Sequence, residues 1–184
     1  MIVVNLFGAP GAGKSTGAAY IFSQLKMQGV NAKLVTEYAK DKTWEGSTEV
    51  FKNQAYIFGK QYWRLSRLEG KVDVVVTDAP LLNSSLYNES ALLGSDFNTV
   101  VRNVFDSYDN FNVYVNRDKP YNPAGRRQTK DQSDHLSKVF RQQLSVMRVP
   151  FINIKGNQHD YDRVVLDVIS RLKNPPKKHR EDDE

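Results

Sequence analysis

The 184-residue sequence predicts an α/β fold: three layers, with a doubly wound, five-stranded parallel sheet in the middle. Three observations predict it. Apolar runs of strand length alternate with stretches of helical periodicity along the chain, the pattern of successive βαβ units. One glycine-rich segment stands between the first run and the first periodic stretch. A β-branched run near mid-chain, Val72-Asp73-Val74-Val75-Val76-Thr77-Asp78, ends in an acid.

Ile2-Val3-Val4-Asn5-Leu6-Phe7 reads as the first, buried strand. The segment after it, Gly8-Ala9-Pro10-Gly11-Ala12-Gly13-Lys14-Ser15, fits G-x-x-x-x-G-K-[ST], the phosphate-binding P-loop, and Thr16 follows. Glycines let the backbone curl so that successive N–H groups face phosphate oxygens. A helix beginning near Lys14 adds its positive dipole end, and Ala18, Ala19, Ile21, Phe22 and Leu25 recur at its spacing. Gly8 to Thr16 are therefore expected to bind a nucleoside triphosphate, taken to be ATP. Lys14 reaches the β- and γ-phosphates, and the Ser15 hydroxyl serves Mg²⁺. The expected fold is that of a P-loop NTPase of the nucleotide-kinase kind.

Gln28-Gly29 stops the first helix, and Asn31 to Thr36 form a second strand running into Glu37. A carboxylate there sits on the edge where open α/β sheets bind ligands. Ser47 is read as the N-cap of a long helix to about Glu69, on which Phe51, Ala55, Phe58, Tyr62 and Leu65 step by four, three, four, three. Its aromatics, including Tyr56, Tyr62 and Trp63, could stack a nucleobase, but at helical spacing they are expected in the core, while Gln54 and Arg64 could face a substrate. The third strand has the form of a Walker B strand, whose terminal Asp78 helps hold Mg²⁺. Ala79-Pro80 turns the chain, Leu81 to Tyr87 suit a short helix, and Gly94 to Asp96 are read as a break before a helix marked by Phe97, Val100, Val101, Val104 and Phe105.

Phe111 to Asn116 is the fourth strand. The polar loop after it, about 117–128, carries Arg117, Lys119, Arg126 and Arg127 among two prolines and a glycine, and is expected to close as a phosphate-clamping lid. Arg117 is assigned to the nucleotide, Arg126 and Arg127 to the transferring phosphate. Asn116-Arg117-Asp118 lacks the lysine and the spacing of a guanine-specifying motif. A helix over about Asp131 to Met147 carries His135 at the surface. Phe151 to Ile154 form the fifth strand, and the turn Lys155 to Gln158 lies where related kinases cradle adenine. A last helix, marked by Val164, Val165, Val168, Ile169 and Leu172, ends at Asn174-Pro175-Pro176. Residues 1–173 are expected to form one domain, and 174–184 a disordered charged tail.

Composition narrows the classes. The 40% hydrophobic and 26% charged content is that of a globular protein, and no apolar run approaches a membrane span. With no cysteine there is no disulfide, thiolate nucleophile or Cys-based zinc site. The first residues go straight into a strand, so the expected location is the cytoplasm, a host cell's if the protein is viral. No membrane partner is expected, and oligomeric state is open. A net charge of +5 suits polyanionic ligands, nucleotide or nucleic acid.

The ordered set of motifs resembles the nucleoside and nucleotide kinases, and more closely the ribosylnicotinamide kinase domain of the bifunctional NAD-biosynthesis regulator. The resemblance spans about residues 2–172. It rests on Gly8 to Ser15, Glu37-Tyr38, Tyr56-Ile57, Thr77-Asp78, Gly125-Arg126 and Asp160-Tyr161-Asp162. The lid insert Pro120 to Ala124 departs from that domain, and the 184 residues contain no adenylyltransferase domain. Small bacteriophage P-loop kinases and ATPases are similar as well. The resemblance implies an ATP- and Mg²⁺-dependent kinase acting on a hydroxyl of a nucleoside or nucleotide. A DNA acceptor (a polynucleotide end or a hydroxymethylated base) and a nucleotide-hydrolysing regulator are the alternatives. Asp78 and Glu37 are both candidates for the base; Asp78 is the better Mg²⁺ holder, leaving Glu37 to the acceptor.

Overall fold

The computed structural model describes residues 1–88, 90, 92–123 and 128–175. Five parallel strands form one sheet in the order β2-β3-β1-β4-β5. They are β1 (Ile2–Phe7), β2 (Ala32–Val35), β3 (Val74–Thr77), β4 (Asp109–Asn116) and β5 (Ile152–Lys155). The helices are α1 (Lys14–Met27), α2 (Tyr38–Trp44), α3 (Gln54–Ser66), α4 (Asn83–Leu86), α5 (Gly94–Asp106), α6 (Lys130–Val146) and α7 (Gln158–Lys173). The doubly wound α/β architecture expected from the sequence is the one observed.

Alternation along the central strand divides the core in two. Ile2, Val4 and Leu6 face Ile21 and Leu25 of α1 and Val164, Val165 and Val168 of α7. Val3 and Phe7 face the other way, into a cluster with Leu65 of α3, Val101 and Phe105 of α5, and Phe140 and Leu144 of α6. Burying each of these large side chains contributes about 1.5–3 kcal/mol relative to exposure. Asn5 interrupts the apolar run at 1% exposure, yet it is not orphaned: its side-chain amide donates to Asn112 Oδ1 (3.0 Å) and Asn110 Oδ1 (2.8 Å) on the neighbouring strand.

The segment read as one helix from Ser47 is two pieces, a 3-10 turn and α3. After β2 the chain enters α2, then a 3-10 turn over Thr48–Lys52, and only then α3. The working N-cap is Asn53, whose side-chain oxygen accepts from Tyr56 N at 3.0 Å, not Ser47. The apolar period carried on through the 3-10 turn, which hid the break. Gly94 to Asp96 are the first turn of α5, not a break before it. Trp63 is 66% exposed and Tyr56 41%, so of the α3 aromatics placed in the core only Phe58 is buried there. No described helix is long and apolar enough to cross a membrane. The expected tail from 176 onward lies outside the described residues.

Candidate nucleotide-binding and acceptor site

The P-loop leaves β1 and turns sharply. Gly8 has φ 141°, and a Cβ there would sit 2.6 Å from the Val115 carbonyl oxygen, so no side chain fits. Gly13, in the left-handed region, ends the loop and caps α1 without a side-chain bond. The first backbone N–H groups of α1 are thereby left for an anion, as a phosphate site requires. Lys14 folds back across the loop, its Nζ donating to Gly8 O at 2.7 Å and Ala9 O at 3.2 Å. Its ammonium thus sits over the loop's mouth.

Two contacts hold the loop from behind. Tyr161 of α7, 4% exposed, donates its hydroxyl to Gly13 O at 3.1 Å. Ser133 of α6 donates to Pro10 O at 2.6 Å. The turn around Gly156 packs against the same loop, a Cβ there falling 2.7 Å from Ala12 O. None of the described residues lining the cleft comes from that turn, which was expected to cradle adenine.

In front of the loop opens a cleft of about 1350 Å³. The P-loop lines it with Lys14, Ser15 and Thr16, and Phe51, Gln54, Ile57, Asn83 and Tyr87 line it as well. Glu37 also lines it, where β2 gives way to α2. Burial pushes its carboxyl above the ordinary carboxylate range, and the nearby Asp78 charge adds to this, while Lys14 and Lys40 pull it back. Asp78, 3% exposed at the end of β3, accepts the Glu37 backbone N–H on Oδ1 at 3.1 Å. The structure thus brings Lys14, Ser15, Glu37 and Asp78 together.

Lys40 was not singled out by any motif. From α2 its Nζ approaches Ser15 Oγ at 3.4 Å, adding a second cation to the phosphate end. Gln61, 6% exposed, lines the cleft as well, and a helical stripe of aromatics gave no reason to select it. Gln54 reaches the cleft, as the sequence allowed, with Nε2 on Phe51 O at 3.0 Å. Arg64 turns instead to Thr36 O (3.2 Å) and Asp41 (2.7 Å). His135 is exposed on α6 and lines the cleft.

Of the residues expected to form a lid, Arg117 lies across the start of α6, bonded to Ser133 Oγ at 3.2 Å and to Asp134, and stacks over the Tyr121 ring. Arg126 and Arg127 lie outside the described residues. No three His, Cys, Asp or Glu side chains among the described residues are grouped to cage a metal. The donor set still fits Mg²⁺, which is usually held by one or two protein oxygens, phosphate and water. Ser15 Oγ and the Asp78 carboxylate would be those oxygens.

Comparison with solved structures places the fold beside the deoxyadenosine kinase from M. mycoides determined with bound dATP. The TM-score is 0.56 at 18% sequence identity, covering 93% of this chain and 99% of that one. Among curated proteins nothing matches. The family model described as an AAA domain matches residues 3–160. A chain matched over that length, with its P-loop between β1 and α1 of a parallel sheet, belongs to the AAA domain family.

Proposed function

We propose that this protein is an ATP- and Mg²⁺-dependent kinase that transfers the γ-phosphoryl group to a hydroxyl of a nucleoside or nucleotide. The observation that carries the reading is Glu37. It is a carboxylate of raised pKa within reach of the P-loop lysine's charge, lining the same cleft as the P-loop and as Phe51, Ile57 and Tyr87. Typical ligand pockets hold about 300–1,000 Å³, so a cleft of 1350 Å³ has room for a nucleotide and an acceptor together. The fold shared with a deoxyadenosine kinase is compatible with this.

In this reading the P-loop amides and Lys14 bind the triphosphate and take up charge on the β- and γ-oxygens. The acceptor lies against Phe51, Ile57 and Tyr87, with Gln54 and Asn83 supplying amide hydrogen bonds. Its hydroxyl oxygen attacks the γ-phosphorus, its proton passes to Glu37, and the bond to the β-phosphate oxygen breaks to release ADP. Ser15 and Asp78 would hold Mg²⁺, which would supply charge neutralisation. Arg126 and Arg127 belong to the lid that clamps the transferring group, and Arg117 ties its base to α6 and the nucleotide side.

The test is a panel of nucleosides, nucleotides and DNA incubated with γ-labelled ATP, with the labelled product identified. Label on a nucleoside or nucleotide, lost in Lys14→Ala, is the expected result. Label on DNA alone assigns a polynucleotide acceptor, and phosphate release independent of every acceptor assigns a regulatory ATPase.

A further inference from the structure

Glu37 sits on a turn whose own backbone does not hold it. The residue precedes α2, its side chain caps nothing, and as the junction of a strand and a seven-residue helix it has little local support. What holds the turn comes from elsewhere. Gln61 on α3 accepts the Tyr38 N–H on Oε1 at 3.0 Å and donates from Nε2 to Thr36 O at 3.3 Å. One buried side-chain amide therefore grips the peptide groups on both sides of Glu37, while Asp78 takes the N–H of Glu37 itself.

The two halves of this grip are not equivalent. Thr36 O has a second donor in Arg64, whose NH1 lies 3.2 Å away and whose NH2 is tied to Asp41 at 2.7 Å. For the Tyr38 N–H the acceptor is Gln61. The carbonyl half of Gln61 is thus the one that Arg64 cannot replace.

We propose that Gln61 is a positioning residue of the transfer reaction, fixing the Glu37 carboxylate in the cleft by clamping the peptide groups that flank it. This rests on the reading of Glu37 as the acceptor-side carboxylate. A carboxylate that drifts by about 1 Å can lose about 100-fold in rate without any change in nucleotide binding. The hydrogen bonds described for Gln61 go to the Thr36 and Tyr38 peptide groups and none to the P-loop, so its removal is expected to act on the chemical step and leave ATP affinity in place.

Gln61→Met keeps the volume and removes both hydrogen bonds; Gln61→Glu keeps the acceptor for Tyr38 N–H and loses the donor, with the adjacent Arg64 to balance its charge. The measurements are kcat, the KM of ATP and of the acceptor, ATP affinity by direct titration, and hydrogen exchange at the Tyr38 amide. In Gln61→Met, kcat is expected to fall by at least tenfold, with ATP affinity within twofold of wild type and Tyr38 exchange accelerated. Gln61→Glu is expected to recover most of the rate and the protection. A kcat within twofold of wild type in Gln61→Met overturns the proposal. So does a loss matched by equal loss of ATP affinity and melting temperature, which marks a residue of general structure. A wild-type protein that phosphorylates no acceptor refutes the kinase reading and the positioning role with it. An active wild type with an indifferent Gln61→Met refutes the positioning role alone.

Discussion

Gly17 has space for no side chain: a Cβ on it would lie 2.4 Å from the Tyr161 ring, inside any tolerable contact. The ring cannot swing away cheaply, being buried and bonded through its hydroxyl to Gly13 O. Gly17→Ala is therefore expected to cost about 1–3 kcal/mol, the usual penalty for overpacking, read from the urea midpoint. Because the same ring props the P-loop, ATP affinity should fall with it. Tyr161→Phe removes only the hydroxyl bond, worth about 1 kcal/mol, and should be the milder change on both measurements. Glu37→Gln tests the chemistry. If Glu37 takes the acceptor proton, kcat should drop by about 10²–10⁴ with ATP affinity within a few-fold, measured by single-turnover transfer and nucleotide titration. A near-silent Glu37→Gln would move the base elsewhere and leave the P-loop assignment standing.

Helix α6 follows the loop expected to form the lid, touches the P-loop through Ser133, and begins with a complete capping box. Thr129 accepts the Gln132 N–H at 3.3 Å, and Gln132 Oε1 accepts the Thr129 N–H at 2.8 Å. Thr129→Ala should lower stability by about 1 kcal/mol in thermal or chemical denaturation. Ser133, one turn on, holds Pro10, so fraying of that first turn should also weaken ATP binding; an unchanged ATP affinity would separate the cap from the site. Elements whose chemistry is local could be read from the sequence. Strand β1, the P-loop and α1 declare themselves through a motif and an apolar period, and Asp78 through its place at the end of a β-branched run. The break before α3 could not, because Phe51 and Ala55 continue the helical period across a 3-10 turn. The cap of α3 is Asn53, which a reading of one helix from Ser47 passes over. Lys40 and Gln61 carry no local signal at all. Their roles come from α2 leaning toward Ser15 and α3 toward Thr36, contacts made across 25 residues in each case.

Across the whole molecule the net charge of +5 admits either a small phosphorylated ligand or a polynucleotide, and the arrangement of the charges discriminates between them. Many described cations are already matched: Lys42 with Glu45, Lys52 with Glu49, Arg64 with Asp41, Arg102 with Asp106, Lys130 and Arg117 with Asp134, Arg171 with Asp109. Such pairs dilute any basic stripe that could track a nucleic-acid backbone. The cations nearest the reaction, Lys14 and Lys40, point into the cleft at the P-loop instead. A polynucleotide acceptor would need several backbone contacts, each releasing about one counterion, so log(kcat/KM) would fall with log[salt] with a slope of about −4 or steeper. A nucleoside or nucleotide that meets only the cleft displaces few counterions. The expected slope, measured between 50 and 300 mM KCl at saturating ATP (an experimental range of roughly one decade), is shallower than about −2. A steep slope with DNA as the better acceptor would reverse the assignment of the substrate, and would place the missing cations on the lid around Arg126 and Arg127.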